Sequence, residues 1–123
     1  MPIVRADQAT VYETHGSRFH SFLAPATGST QLCAWRLEVP AGLVGVPHRP
    51  SREEAVLVLT GSLRGALDGA PVEAGPGDLL HVPAGAELRL DGGPDGVTAW
   101  VTTTPGLVAT TADGSTLAPP WAN

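Results

Sequence analysis

The sequence contains no lysine, and its seven arginines are scattered along the chain. Twelve acidic residues bring the formal net charge to −5. Because no basic stripe is available to follow a phosphate backbone, we expect no nucleic-acid partner. Charged residues make up only 15% of the chain and hydrophobic residues 42%, which is the composition of a globular protein and not of a disordered one.

Cysteine is almost absent as well, since Cys33 is the only one and cannot form an internal disulfide. It lies in an alternating apolar segment, which indicates a buried, inert thiol and fits a reducing compartment. No stretch approaches the roughly 18 apolar residues that a membrane helix needs, and the first residues lack the apolar core of a signal peptide. We therefore expect a soluble, cytoplasmic protein that does not bind a membrane.

Glycine and proline are plentiful, with 15 and 12 residues that fall between short apolar segments. Such spacing is typical of short strands joined by tight turns, and no amphipathic helix competes with it. The dipeptide Asp68-Gly69 predicts a hairpin. The length of 123 residues indicates one domain, covering 1–123 and all-β in class. Its clearest predicted strands are 19–24, 30–39, 54–60, 62–67, 78–82, 86–90 and 97–104.

Alternation within residues 30–39 places Trp35 on an apolar face with Cys33, so we interpret Trp35 as a core residue. The tail, residues 105–123, loses this periodicity and is rich in proline. It ends in Leu117-Ala118-Pro119-Pro120-Trp121, whose prolines exclude a central strand at that point, and we expect the tail to wrap the barrel or to cap an opening.

Two segments carry a fixed spacing of glycine, proline and polar residues. The first covers 42–61 and reads Gly42, five residues, His48-Arg49-Pro50, three residues, Glu54, six residues, Gly61. The second covers 77–92 and reads Gly77, five residues, Pro83, one residue, Gly85, two residues, Leu88, three residues, Gly92. Together these segments resemble the two motifs of the cupin superfamily, whose fold is a double-stranded β-helix, or jelly-roll barrel.

The resemblance also implies a metal site, but most of its ligands are replaced. Metal-bearing cupins use two histidines and a glutamate of the first motif and a histidine of the second. In this chain only His48 and Glu54 remain, while Pro50 and Leu88 occupy the other two positions. Two donors rarely hold a transition metal, so we expect no cofactor.

His81 offers one route to a third ligand, because it precedes Leu88 by seven positions across a predicted turn. A divalent metal held by His48, Glu54 and His81 is therefore the alternative. Without a metal, the same residues and Leu88 are predicted to line a ligand-binding pocket, since an imidazole and a carboxylate inside an apolar barrel often mark a site.

The sequence thus predicts a small single-domain cupin that binds a small molecule in its barrel, with no catalytic residue assigned. One alternative is a metal-dependent enzyme of the dioxygenase, isomerase or cyclase type with an unorthodox site. Another is a non-catalytic, dimeric interaction or sensing module. We expect a homodimer in any case, because exposed sheet edges need covering.

Overall fold

The structure is a computed structural model that describes residues 2–123. These residues form ten strands and three short 3-10 helices. The strands are β1 (Thr10–Thr14), β2 (Ser17–Leu23), β3 (Cys33–Val39), β4 (His48–Pro50), β5 (Glu54–Leu67), β6 (Ala70–Ala74), β7 (Leu79–Val82), β8 (Leu88–Thr103), β9 (Ala109–Thr111) and β10 (Thr116–Leu117). The helices are Ala6–Gln8, Pro25–Thr27 and Pro120–Ala122. No helix in this described part of the chain has the length and hydropathy needed to cross a membrane.

The sheet is antiparallel and is organised around the long strands β5 and β8. Strand β8 pairs with β3 on one side and with β5 on the other, and its first residue, Leu88, also pairs with His48 of β4. Strand β4 continues the sheet to β9 and β10, while β2 and β1 follow β3. Strand pairing of this kind curls the sheet around one core, and the predicted all-β jelly-roll barrel is confirmed.

Strands β5 and β8 correct the sequence-based boundaries. Each was predicted as two separate strands, but each is continuous in the structure. The register of their pairing shifts next to Gly61, which adopts a φ of +76°. A Cβ atom at this position would lie 2.1 Å from the carbonyl oxygen of Gly96. Gly61 therefore marks a bulge within a strand and not the end of one.

The predicted hairpin is confirmed at Asp68-Gly69, which connects β5 to β6. Both residues have positive φ values, 49° and 80°, and the flanking residues Leu67 and Ala70 are paired. This backbone suits a two-residue turn between right-twisted strands.

The core lies between the inner faces of the curled sheet. Strand β3 follows the predicted alternation, and it buries Cys33, Trp35, Leu37 and Val39. The tail packs on the same core, because Trp121 stacks on Phe19 with ring centroids 3.8 Å apart. Backbone carbonyls near the C-terminus accept hydrogen bonds from the hydroxyl of Ser21 and the thiol of Cys33.

Candidate functional site

A cavity of about 200 Å³ lies inside the barrel, and the tail forms part of its wall. Residues of β1 to β5, of β8 and of the loops after β1 and before β4 form the remainder. Most of the lining side chains are apolar, including Phe19, Trp35, Leu37, Val39, Pro50, Leu88, Leu90, Val101, Leu107 and Trp121. The cavity brings together three of the four residues predicted to line a pocket, His48, Glu54 and Leu88.

Glu54 is the first residue of β5 and contributes a carboxyl group to this apolar cavity. Its position on the strand is fixed by pairing with Val82, and the residue is only 6% exposed. Burial raises the pKa of Glu54 from 4.5 to about 7, because the charged form loses its hydration. Among residues 2–123, no hydrogen-bond donor contacts the carboxyl group, so nothing opposes this rise in its pKa.

His48 is the first residue of β4 and lies opposite Leu88 across the sheet. Its Nδ1 atom is 2.9 Å from the carbonyl oxygen of Val46. A carbonyl oxygen can only accept, so Nδ1 carries the hydrogen and Nε2 of the neutral ring holds the free lone pair. His48 can therefore accept a hydrogen bond through Nε2.

Trp35 adds a polar group that the sequence did not single out. The residue is 3% exposed and its ring lines the cavity, while its Nε1 has less than 1 Å² of accessible surface and no hydrogen-bond partner among residues 2–123. Alternation in β3 predicted that Trp35 points inward, and this is correct. No local signal in the sequence shows that its N–H group lacks an acceptor, because that depends on strands distant in sequence.

Pro50 and Leu88 occupy the two remaining ligand positions of the cupin motifs. Both side chains are fully buried, and both line the cavity. Neither offers a side-chain donor atom to a metal ion. This part of the cavity wall is therefore hydrocarbon.

His81 lies outside the cavity, which corrects its prediction as a pocket residue and third metal ligand. Its side chain is 57% exposed, and its Nε2 contacts the carboxylate of Glu53. In β7 the next residue, Val82, points into the core and is fully buried. Successive side chains of a strand point to opposite faces, so His81 faces outward.

The donor set does not fit the metal that the fold implies. In the described part of the chain, no group of three or more histidine, cysteine, aspartate or glutamate residues is placed to hold a metal ion. His48 and Glu54 provide two donors, whereas a transition metal usually takes three or four from the protein. What the arrangement can do is present a carboxyl group and an imidazole nitrogen to a molecule in an apolar space.

Solved structures similar to this chain share its fold at low sequence identity. The polyketide cyclase RemF from Streptomyces resistomycificus has 20% identity and a TM-score of 0.75, with 87% of this chain and 83% of that chain covered. An RmlC-like cupin from Shewanella frigidimarina has 18% identity and a TM-score of 0.72, covering 86% and 92%. A sugar phosphate isomerase of the cupin superfamily from Silicibacter pomeroyi has 19% identity and a TM-score of 0.70, covering 94% and 92%.

The comparison with curated proteins found no match. A family profile described as "Cupin domain" matches residues 35–101, which is more than half of the chain and includes both motifs in full. The motif spacing, the curled antiparallel sheet and this match agree, and the chain belongs to the cupin family.

Proposed function

We propose that the protein binds a small molecule of about one ring inside the barrel, and that Glu54 and His48 orient it. The observation that carries this proposal is the carboxyl group of Glu54, a residue that is only 6% exposed, lines an apolar cavity and receives no hydrogen bond from residues 2–123. Buried polar groups in folded proteins are nearly always hydrogen-bonded. A bound molecule would supply the partner that the protein itself does not provide.

The cavity volume supports a ligand of limited size. An apolar protein cavity of about 150 Å³ accommodates benzene, whereas pockets for drug-sized compounds are typically about 300 Å³ or larger. The volume of about 200 Å³ lies between these values. It suits one ring with a small substituent better than a fused-ring compound.

Binding can be tested by NMR, because two of the three tryptophans line the cavity. We expect phenol, added at millimolar concentration, to shift the indole ¹H–¹⁵N resonances of Trp35 and Trp121 in a saturable manner. Trp100 lies outside the cavity against Phe22 and serves as an internal reference. Proportional shifts of all three resonances, or no shift, would contradict the proposal.

A pair of variants on β9 controls for binding elsewhere. Thr111 lines the cavity, while its neighbour Thr110 does not. Thr111→Trp should fill part of the space and weaken the phenol response, and Thr110→Trp should leave the response unchanged. An equal loss in both variants would show that the shifts report something other than occupancy of the cavity.

The alternative is a metal-dependent enzyme, since two of the similar structures are a cyclase and an isomerase. Elemental analysis of protein purified without an affinity tag distinguishes the two functions. We expect far less than one equivalent of any transition metal, because His48 and Glu54 alone are weak ligands. Near-stoichiometric iron, manganese, nickel, copper or zinc would overturn the metal-free proposal.

A further inference from the structure

Resting on the proposed function, we infer that the ligand is a one-ring organic cation, a primary amine bound in its ammonium form. Its N–H groups donate hydrogen bonds to the carboxylate of Glu54 and to Nε2 of His48, and its ring contacts the apolar wall. Small-molecule binding requires only the cavity, whereas this ligand class requires that both of these side chains accept hydrogen bonds.

One short segment of the chain positions Glu54 and His48 at the cavity wall. Glu54 of β5 pairs with Val82, and His48 of β4 pairs with Leu88. Between these two partners the chain makes a tight turn, in which Ala86 donates a backbone hydrogen bond of 3.1 Å. Both Glu54 and His48 line the same cavity of about 200 Å³. A molecule that fills this space therefore contacts both residues.

The polar groups of these two residues both accept hydrogen bonds. Nδ1 of His48 donates to the carbonyl oxygen of Val46, so Nε2 is an acceptor. An ionised carboxyl group only accepts, and that of Glu54 receives no hydrogen bond from residues 2–123. The other polar side chains that line the cavity are those of Thr14, His15, Ser17, Trp35, Thr111, Ser115 and Thr116. Hydroxyl and imidazole groups can accept as well as donate, while Nε1 of Trp35 has less than 1 Å² of accessible surface. The complementary ligand is therefore one that donates hydrogen bonds.

An ammonium group matches two acceptors better than a hydroxyl group does. It carries three N–H donors and no lone pair, so it can bond Glu54 and His48 together. A hydroxyl group has a single donor and can bond only one of them. The hydrogen bond between an ammonium and a carboxylate is also charge-assisted, and such bonds are roughly twice as strong as those between neutral groups. Folding has already removed the carboxyl group of Glu54 from water, so binding has to desolvate only the ammonium group.

The charge of the cavity wall argues against an anionic ligand. No arginine is among the described residues that line the cavity, and the chain contains no lysine. A carboxylate or phosphate would meet the carboxyl group of Glu54 without a guanidinium or ammonium group to compensate its charge. Burying an unpaired charge in this way is costly.

Four one-ring probes of similar size test this assignment: benzylamine, benzyl alcohol, benzamide and benzoate. Their dissociation constants can be measured from the indole resonances of Trp35 and Trp121. A pH of about 8 is suitable, because the carboxyl group of Glu54, with a pKa of about 7, is then mostly ionised. We expect benzylamine to bind about tenfold more tightly than benzyl alcohol, since one charge-assisted hydrogen bond in a buried site is worth about that factor. Benzamide has N–H donors but no charge, and benzoate has the wrong charge, so both should bind more weakly than benzylamine.

Variants show whether the preference comes from Glu54 and His48. Glu54→Gln keeps the size of the side chain and removes its charge, so it should remove most of the advantage of benzylamine over benzyl alcohol. Glu73→Gln is the matched control, since Glu73 is an exposed carboxylate on β6 outside the cavity. His48→Leu should weaken benzylamine binding, whereas His81→Leu, at an exposed position outside the cavity, should leave it unchanged. In the wild type, nuclear Overhauser effects should connect the methylene protons of bound benzylamine to the imidazole protons of His48.

The outcomes separate this ligand class from the proposed function. If benzyl alcohol, benzamide or benzoate binds at least as tightly as benzylamine, the ligand class is wrong while small-molecule binding stands. If Glu54→Gln leaves the preference unchanged, or if His48→Leu and His81→Leu have equal effects, the assigned contacts are wrong. If neither phenol nor any of the four probes shifts the indole resonances, the proposed function fails and this ligand class fails with it.

Discussion

The buried carboxyl group of Glu54 should make the stability of the fold fall as the pH rises. Its pKa is about 7 in the folded protein and 4.5 when the side chain is exposed. Between these values the folded state holds a proton that the unfolded state has released. Unfolding then releases protons, and the free energy of unfolding decreases as the pH increases.

The size of the effect follows from the two pKa values. A difference of one pKa unit corresponds to about 1.4 kcal/mol, so the interval from 4.5 to about 7 corresponds to about 3 kcal/mol. The contribution of Glu54 to the free energy of unfolding is fully present below pH 4.5, where the carboxyl group is protonated in both states. It is lost once the pH has passed about 7. For a domain of this length, about 3 kcal/mol corresponds to roughly 10 °C in melting temperature.

Urea denaturation, monitored by tryptophan fluorescence and repeated at pH values about one unit apart from about 5 to about 8, measures this dependence. Histidines also titrate in this range, so the informative quantity is the difference between the wild type and Glu54→Gln. We expect Glu54→Gln to be up to about 3 kcal/mol more stable relative to the wild type at pH 8 than at pH 5. Glu73→Gln, at an exposed position, should follow the wild type at every pH.

Parallel curves for the wild type and Glu54→Gln would refute the reasoning. They would mean that Glu54 is hydrated or paired in solution and that its carboxyl group does not bear the cost of burial. A steeper dependence in Glu54→Gln would contradict the sign of the effect.

Further changes test the packing and the assembly of the barrel. Leu88→Ala should lower the free energy of unfolding by about 2–5 kcal/mol in urea denaturation, because Leu88 is fully buried. Gly61→Ala should be strongly destabilising by the same assay, whereas Gly75→Ala, with no Cβ contact closer than 4.0 Å, should be nearly neutral. Trp121→Ala should cost about 3–5 kcal/mol and should speed amide hydrogen exchange in residues 105–123, because it removes the stacking on Phe19. Light scattering should give twice the mass of 12.6 kDa, since β1 forms an edge of the sheet, and a monomer would contradict the predicted homodimer.

Local chemistry explains which features of the fold could be predicted from the sequence. The turn at Asp68-Gly69 is specified by two residues that tolerate positive φ, and it forms where predicted. Gly61 gives a similar local signal, but it lies in a bulge of β5. The difference comes from β8, which continues past this point and holds β5 in the sheet. No pattern within residues 54–67 contains that information.

The alternation of side chains along β7 explains why the sequence-based prediction placed His81 in the pocket. Strand β7 has leucines at two successive positions, Leu79 and Leu80, so the hydrophobic pattern does not show which face is buried. Pairing with β5 decides it, because Val82 lies opposite the buried Glu54. His81 consequently faces solvent, although the glycine and proline spacing around it matches the second cupin motif.

The remaining polar groups of the cavity carry the functional argument. A carboxyl group that served only packing would be expected to find a partner in the fold, as buried polar groups generally do. Glu54 finds none in residues 2–123. The unpaired carboxyl group lowers the stability of the empty protein, and a ligand that forms a hydrogen bond with it would offset this cost. Glu54→Gln should therefore raise stability above pH 7 and weaken phenol binding together, a combination that a packing role does not produce.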